Sequence, residues 1–334
     1  MIVGDSISHG AEGDYTWRYR IWQWLQSNNV PVDFVGPYKG TNPPDDITPP
    51  SPPSTEPRTF GGYALDAEPF DSDHFAVWGR QAAQDKDQIA AHITTYMPDH
   101  LLIELGFNDL GWFVSGPEGT LESMKSLVDN ARAVKPDLKF AIANVPQRSH
   151  LGGRDDLPII TDQYNELLVK AIPEWSTDIS PIKLVKFREE YSCEPEACPA
   201  GYDGLHPNAL GEYEIARAFS IALQPDYAPG GSSLAVPAVI PPRPCPAPVN
   251  VKATTGSGSV IVTWDGVYGA FNYDVQTRVG ADGAWTDPST LSSAPRWEYW
   301  PVTDGMTYAY RLRAGCGDAL RSEWSEVVSV VAHA

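Results

Sequence analysis

Residues that could carry out chemistry together stand at two distant places in this sequence. Gly4-Asp5-Ser6 follows a short apolar run at the start, and Asp203-Gly-Leu-His206 lies far downstream. A serine hydroxyl becomes a nucleophile when a histidine takes its proton, and the histidine needs a carboxylate that fixes its tautomer. Because Asp203 and His206 are three positions apart, one turn can direct both side chains into one pocket. The pattern predicts acyl transfer through Ser6.

Taken alone, Ser6 has a simpler explanation, a serine that only satisfies the N-terminus of a helix. Ile2 and Val3 are typical of the end of a buried strand, and Gly4 permits a tight turn. A hydroxyl after such a turn lies at the carboxyl edge of a sheet, a common place for nucleophiles and ligands. The acid and base of the downstream segment decide in favour of the nucleophile.

Two further blocks contain candidate donors for an oxyanion. Gly79, in Val77-Trp-Gly-Arg80, can present its N–H at a strand-to-helix turn with no side chain in the way. Asn108, in Gly106-Phe-Asn-Asp109, follows an apolar run, although an asparagine after a strand often only closes an Asx-turn.

These four blocks, in this order, resemble those of the SGNH (GDSL-type) hydrolases. The resemblance implies a flavodoxin-like three-layer α/β/α sandwich with a parallel sheet, and no cofactor or metal. It also implies the roles of the site residues. Ser6 is then the nucleophile, His206 the base and Asp203 its orienting acid. The oxyanion hole consists of the N–H groups of Ser6 and Gly79 and the side-chain amide of Asn108.

A closer resemblance is to carbohydrate esterase family 3, whose members include acetyl xylan esterases. It rests on Tyr19-Arg-Ile-Trp22, Val32-Asp-Phe-Val-Gly36, Gln88-Ile89 and Gly106-Phe-Asn-Asp-Leu110. It implies an acetyl ester substrate on a plant polysaccharide such as xylan. Two alternatives stay open at this point: an esterase for lipid, aryl or other small-molecule esters, and a carbohydrate-binding protein on a degenerate hydrolase scaffold.

Trp112 and Phe113 come directly after the asparagine block. Aromatic side chains there could form the floor of a sugar or aryl pocket, and we treat both as candidate substrate-binding residues. Burial in the core is the alternative. His9 has no partner acid in the pattern. His74, in Asp71-Ser-Asp-His74, fits either a calcium or metal site or, more simply, a solvated loop.

The elements that must position these residues follow from apolar periodicity. Helices are predicted over 14–28, 79–97, 120–135, 162–171 and 208–222, and strands over 32–35, 100–105, 138–143 and 182–185. Residues 37–73 are too rich in proline for helix or sheet interior and predict an ordered surface loop or lid. Strands that alternate with helices predict a parallel sheet between two helical layers.

After a Pro/Gly/Ser-rich linker the pattern changes to short alternating strands. We predict a catalytic domain over 1–224, a linker over 225–245 and an all-β sandwich over 246–334. The last of these resembles a fibronectin type III domain, through Trp264 on an early strand and a tyrosine corner at Asp304-Gly-Met-Thr-Tyr308.

The charge and the cysteine content limit the binding partners and the location that we expect for the protein. The net charge of −19 argues against nucleic acid and anionic membranes as partners. Four cysteines suggest an oxidising, extracellular location, with Cys193–Cys198 and Cys245–Cys316 as disulfides and zinc as the less supported alternative. We expect a secreted monomer. Because the chain opens directly in a short strand, we also expect that residues were removed before Met1.

Overall fold

The computed structural model describes residues 1–48, 51–52, 54–317 and 319–333. The chain divides into two compact units. The first unit comprises Met1–Gly10, Asp14–Asn42 and Arg58–Pro241. The second comprises Ala11–Gly13, Pro43–Pro57 and Pro242–Ala334.

A five-stranded parallel sheet forms the centre of the first unit, with the strand order β2-β1-β3-β4-β5. Most of its side chains are buried, as expected for a sheet that is covered by helices on both faces. The strands are β1 (Ile2–Gly4), β2 (Phe75–Ala76), β3 (His100–Glu104), β4 (Lys139–Ala143) and β5 (Ile182–Val185).

Helices alternate with these strands, which confirms the predicted α/β fold class. The longer ones form two groups, with α2 packed on α8, and α5 packed on both α3 and α6. The helices are α1 (Ser6–His9), α2 (Thr16–Ser27), α3 (Ala82–Tyr96), α4 (Phe107–Gly111), α5 (Pro117–Val134), α6 (Leu157–Trp175), α7 (Phe187–Glu190) and α8 (Ala209–Tyr227).

Five predicted helix ends are wrong by three residues or more. Helix α5 starts at Pro117 and not at residue 120, and α6 ends at Trp175 and not at residue 171. Helix α3 starts only at Ala82, after the turn that carries Gly79. Helix α6 starts at Leu157, before the predicted residue 162. A proline lies in its first turn, where a backbone N–H would have no partner within the helix. Helix α8 continues to Tyr227 with Pro225 inside it, beyond the predicted end at residue 222.

The strand predicted at 32–35 is also wrong. The place beside β1 is taken by Phe75–Ala76, through the pairs Val3 with Phe75 and Gly4 with Ala76. The N–H of Phe34 bonds instead to the Asp71 carboxylate. Phe34 is nevertheless buried. The apolar residues of 32–35 therefore reflect packing against the core and not pairing in the sheet.

The proline-rich segment is irregular, as predicted. Within the first unit, isolated bridges join Tyr38 to His74 and Thr41 to Gly61. Pro49, Pro50 and Pro53, which contributed to this prediction, lie outside the described residues.

The second unit is an antiparallel all-β sandwich. Its sheets have the orders β10-β7-β6 and β12-β11-β8-β9, the arrangement expected for a fibronectin type III-like domain. The Tyr308 hydroxyl accepts a hydrogen bond from the N–H of Thr303 at 2.9 Å, which confirms the tyrosine corner. The strands are β6 (Lys252–Thr255), β7 (Val260–Thr263), β8 (Asn272–Val279), β9 (Ser289–Leu291), β10 (Arg296–Tyr299), β11 (Thr307–Gly315) and β12 (Val328–Val331).

Both predicted disulfides are present, Cys193–Cys198 in the first unit and Cys245–Cys316 in the second. In the described ranges no cluster of three or more His, Cys, Asp or Glu side chains could hold a metal ion. None of the helices that can be described is long and apolar enough to cross a membrane.

Candidate active site

Ser6 opens α1 directly after β1, at the carboxyl edge of the sheet. The Asp5 carboxylate caps this short helix by accepting the N–H of Ile7 at 2.9 Å. Gly4 is required by space, because a Cβ there would lie 2.4 Å from Ser8 Oγ. The Gly-Asp-Ser sequence thus has a local reason at each position: a close approach at Gly4, a cap at Asp5 and the first helical residue, Ser6, which carries the hydroxyl.

The structure brings Ser6, His206 and Asp203 into one hydrogen-bonded chain. His206 Nε2 lies 2.8 Å from Ser6 Oγ, and His206 Nδ1 lies 2.7 Å from Asp203 Oδ2. Asp203 Oδ1 accepts the N–H groups of Leu205 and His206, at 3.1 and 2.9 Å, so the acid also fixes the turn between itself and the base. This arrangement allows a histidine to take a proton from a serine hydroxyl.

The Asp203 carboxylate is well suited to remain ionised. Burial opposes ionisation, but the hydrogen bond and charge of His206 prevail and lower the pKa of Asp203 below its usual value. Burial is the largest single cause, and the contacts with His206 and the backbone together outweigh it. An ionised Asp203 holds a proton on Nδ1 and leaves Nε2 free to accept one.

Two aromatic rings beside His206 were missed from the sequence. The Trp78 indole stacks on the imidazole with ring centroids 4.6 Å apart, and the Tyr202 ring lies 5.8 Å away. The backbone N–H of Trp78 donates a hydrogen bond to His9 Nδ1 at 3.1 Å. The available signal was position, since Trp78 precedes the glycine of its block and Tyr202 precedes Asp203.

Asn108 lies in α4, and three partners fix its side-chain amide. Nδ2 donates to Arg80 O at 2.8 Å and to Asp5 Oδ2 at 3.2 Å, and Oδ1 accepts the indole N–H of Trp112 at 2.7 Å. The Asx-turn alternative is wrong, because Oδ1 bonds to the indole. The amide nitrogen thus faces Asp5 and Arg80, the residues next to Ser6 and Gly79.

Gly79 has a left-handed backbone with φ of +80°, which side chains rarely adopt. A Cβ at this position would meet no atom within 4 Å, so conformation and not space requires glycine. The carboxylate of Asp109, missed from the sequence, accepts the N–H groups of Ala82 at 2.8 Å and Ala83 at 3.0 Å. This cap ties α4, which carries Asn108, to α3 just after the Gly79 turn.

Trp112 and Phe113 are 59% and 75% exposed, so the alternative of core burial is wrong. The guanidinium of Arg154 lies 3.9 Å from the centre of the Phe113 ring. Arg154 is itself buried and donates to the carbonyl groups of Leu110, at 3.0 Å, and Gly111. Sequence analysis missed this arginine, which stabilises the C-terminal end of α4 and packs against the Phe113 ring.

The other histidines near the site are structural. His74 is fully buried, so the predicted solvated loop is wrong for it; its Nδ1 accepts the N–H of Ala76 at 3.0 Å and its Nε2 lies 2.9 Å from Gly40 O. Burial and the charge of Arg18 lower the pKa of His9 to about 3. His9 is therefore a weak proton acceptor, and its Nδ1 already accepts the backbone N–H of Trp78.

The profile of the GDSL-like lipase/acylhydrolase family matches residues 2–213, which is well over half of the chain. The chain belongs to this family. As a GDSL-like hydrolase it is a carboxylic ester hydrolase, in agreement with the resemblance stated from its motifs.

Solved structures share the fold of this GDSL-like hydrolase. One is a crystal structure of an acetyl esterase mutant with an acetate ion, 19% identical, with a TM-score of 0.52 over 69% of this chain and 98% of that chain. The others are family 3 carbohydrate esterases from Talaromyces cellulolyticus and Clostridium thermocellum. Each is 22% identical with a TM-score of 0.50, over 68% of this chain and 96% and 95% of theirs, respectively. No curated protein matches the sequence significantly.

Proposed function

We propose that this hydrolase removes acetyl groups from carbohydrate esters, with Ser6, His206 and Asp203 as its catalytic residues. The observation that carries the proposal is the continuous chain from Ser6 Oγ through both nitrogens of His206 to Asp203, with contacts of 2.8 and 2.7 Å. Ser6 Oγ attacks the ester carbonyl while its proton passes to His206 Nε2. Asp203 stabilises the resulting imidazolium.

The remaining steps return every group to its starting state. The imidazolium gives its proton to the departing alcohol oxygen as the ester C–O bond breaks, which leaves an acyl group on Ser6. A water molecule then loses a proton to His206 and attacks the acyl carbon. Ser6 recovers its proton as acetate departs.

We assign oxyanion stabilisation to the N–H groups of Ser6 and Gly79 and to Nδ2 of Asn108. The contacts of Asn108 with Arg80 and Trp112 hold its amide in place before substrate arrives, and the longer donation from Nδ2 to Asp5, at 3.2 Å, gives way to the oxyanion. Donors held close to the developing charge need little rearrangement, and losing one typically costs about 10²–10³ in kcat.

Exposed aromatic rings support a carbohydrate as the alcohol part of the ester. Trp112 is bonded through its indole N–H to Asn108, so its exposed ring lies close to the oxyanion donor, and Phe113 follows it. Flat exposed aromatic rings pack well against apolar faces of other molecules, including sugar rings. The similar solved structures are an acetyl esterase and two carbohydrate esterases, which favours the same substrate class.

We further propose that the protein is secreted and monomeric, with catalysis confined to the domain predicted over 1–224 and with a non-catalytic sandwich over 246–334. Two disulfides, with no free cysteine among the residues described, support an oxidising location. The sandwich resembles domains that often act as spacers, which supports a role in positioning.

A substrate panel tests the acyl and alcohol parts separately. Along acetyl, butyryl and octanoyl esters of one phenol, kcat/KM should fall by at least about tenfold, because a small pocket must expand to admit methylenes. A long groove would instead gain about 0.8 kcal/mol for each buried CH₂. Acetylated xylan should be deacetylated and should be a better substrate than acetylated glycerol. Octanoyl esters that outperform acetyl esters would replace this proposal with a lipid esterase.

A further inference from the structure

Arginine and tryptophan side chains alternate along one face of the second unit. The guanidinium groups of Arg278 and Arg311 lie 4.9 and 4.6 Å from the centre of the Trp285 ring. Those of Arg311 and Arg313 each lie 4.7 Å from the centre of the Trp324 ring. The two indoles thus link three guanidinium groups into one row. We call this row the arginine ladder: Arg278, Trp285, Arg311, Trp324 and Arg313.

The three arginines lie on the outer face of the sheet that contains β8 and β11. Leu312 is fully buried in the core of the sandwich, so Arg311 and Arg313, its neighbours on β11, are directed to the opposite face. Arg278 belongs to β8, where the register pairs it with Ala309, two residues before Arg311 on β11. Each of the three arginines is half-buried. Two adjacent strands therefore fix the backbone positions of these cationic side chains.

Only part of this positive charge is neutralised by neighbouring residues. Arg313 Nε donates to the Asp274 carboxylate at 3.0 Å. Arg311 Nε donates at 2.8 Å to the side-chain carbonyl of Gln276, which carries no charge. In the part of the chain that the structure describes, neither Arg278 nor Arg311 forms an ion pair with a carboxylate. Two of the three guanidinium groups can therefore still bind an anion.

The stacking leaves hydrogen-bond donors available on the arginines but occupies the tryptophan rings. An indole covers the flat face of a guanidinium group, whereas the N–H bonds of that group lie in its plane and point outward from its edge. Each indole already lies against two guanidinium groups, so a neutral sugar has little ring surface to stack on. A side chain that is held in place also loses less rotamer freedom when it binds a ligand. The arginine ladder therefore favours an anion over a neutral sugar.

The charge of the whole protein restricts which anion fits. The net charge is −19, so a dense polyanion such as double-stranded DNA, with one charge per about 1.7 Å, meets strong repulsion. A polysaccharide in which only some sugar units carry a carboxylate brings far fewer charges. A carboxylate also matches the planar fork of a guanidinium group, through two parallel N–H···O bonds. Scattered carboxylates on a sugar chain therefore suit the arginine ladder best.

We propose that the arginine ladder is a binding site for a polysaccharide with uronic acid units, which are sugars that carry a carboxylate. Arg278 and Arg311 donate hydrogen bonds from their outer guanidinium edges to these carboxylates, and Arg313 extends the positive row. The choice of a polysaccharide rests on the proposed function, since the first unit is proposed to act on carbohydrate esters. A second unit that is bound to the same polymer raises the effective concentration of ester groups around the first.

A pair of matched polymers tests the proposal on the full wild-type chain. The probe is deacetylated glucuronoxylan, and the control is the same polymer after its carboxyl groups have been reduced to alcohols. Isothermal titration calorimetry should show binding to glucuronoxylan that is at least about tenfold tighter than to the reduced polymer. This binding should weaken by about fivefold or more between about 20 mM and 300 mM NaCl, because salt screens exposed charges.

Substitutions test which arginines bind the polymer. Arg278→Gln and Arg311→Gln should each weaken the binding of glucuronoxylan by about fivefold or more, because glutamine lacks both the charge and the planar fork. The double variant should bind no better than wild type binds the reduced polymer. The matched control is Arg296→Gln, which removes one positive charge from β10 in the other sheet, where Arg296 is ion-paired with Glu298 at 2.8 Å. It should bind within about twofold of wild type.

Each outcome decides the proposal. Equal affinity for the two polymers, wild-type affinity in the folded double variant, or an equal loss in Arg296→Gln would overturn it. Tighter binding of double-stranded DNA than of glucuronoxylan would assign the arginine ladder to nucleic acid and overturn it too. If the arginine variants do not melt as folded proteins, the comparison of the two polymers decides alone. Turnover of p-nitrophenyl acetate should be the same in wild type and variants. Its absence from wild type would refute the proposed function and leave the binding result intact.

Discussion

The indole of Trp78 lies against the imidazole of His206, with centroids 4.6 Å apart and ring planes inclined by 22°. His206 is therefore held by three kinds of contact: Asp203 at Nδ1, Ser6 at Nε2 and a ring face at the side. Trp78 is 38% exposed, so its ring covers one face of the imidazole and is itself partly open to solvent.

Trp78→Ala should lower kcat/KM by about tenfold, because the imidazole loses the packing that restricts its rotation. Trp78→Phe should recover most of this loss, since a smaller ring still covers the imidazole. Steady-state kinetics on an acetyl ester provides the measurement. Trp300→Ala is the control, as Trp300 is 74% exposed and lies in the second unit. Equal losses in the two alanine variants would contradict a role for the stack.

Ser6→Ala should lower kcat by several orders of magnitude while the fold is kept, because the hydroxyl forms the covalent bond and contributes little packing. His206→Ala should lose about as much, since the pair acts as one unit, and the double variant should lose little more. Single-turnover assays with circular dichroism as a check on folding measure both. Ser6→Ala with more than about a tenth of wild-type activity would rule out the mechanism.

Asn108→Ala should lower kcat by about 10²–10³ with a small change in KM, because the amide stabilises charge that exists only in the transition state. Asn108→Asp places a carboxylate beside Asp5 and should lose at least as much. The control is Asn165→Ala, a buried amide in α6 bonded to the backbone of Val145 at 2.8 Å, whose loss should reduce stability more than kcat.

Asp203→Asn tests the lowered pKa of Asp203 through stability. A group with a depressed folded-state pKa adds stability above its unfolded pKa, near 3.8, and this contribution disappears as pH falls through the folded value. The variant should thus melt below wild type at pH 7, and the difference in Tm should vanish in strong acid. Calorimetry between pH 2 and pH 7 measures it. A difference that is independent of pH would mean that the charge of Asp203 has no such role.

Removal of the sandwich should leave activity on soluble esters nearly unchanged. The cut belongs after Pro241, where the first unit ends, and not at residue 224. Leu234 is buried in the core of the first unit, and Trp24 Nε1 donates to Ser232 O at 2.9 Å, so an earlier cut should destabilise α2. Both truncations should be compared by melting and by turnover of an acetyl ester. A folded 1–241 fragment without activity would show that the sandwich is needed for catalysis.

The parts of the structure that short motifs specify could be predicted from the sequence. The Gly4–Ser6 turn and the Asp203–His206 turn are local, so residue type and spacing largely determine their geometry. Except for β2, the order of the strands and of the longer helices in the first unit followed in the same way from apolar periodicity. Both disulfides followed from the positions of four cysteines.

The errors concern contacts that the sequence does not encode locally. The apolar side chain of Phe34 packs in the core and does not belong to a strand. The sequence does not show that Phe75, and not the segment around Phe34, pairs with β1. Arg154 bonds to Gly111 from a distant loop, and no spacing rule links such positions. His74 was misjudged because its acidic neighbours suggested solvent, whereas it fills a buried space between Gly40 and Ala76.

The hydrogen bond from the Trp112 indole to Asn108 Oδ1 couples the position of the exposed ring to that of the proposed oxyanion donor. Under the proposed function, a sugar that stacks on Trp112 would press on the same amide that stabilises the developing charge. Contacts made far from the ester bond can in this way alter the rate of the chemical step as well as the strength of binding. Trimming the carbohydrate back toward a bare acetyl ester should accordingly slow turnover at saturation, so that small chromogenic esters understate the capacity of this enzyme.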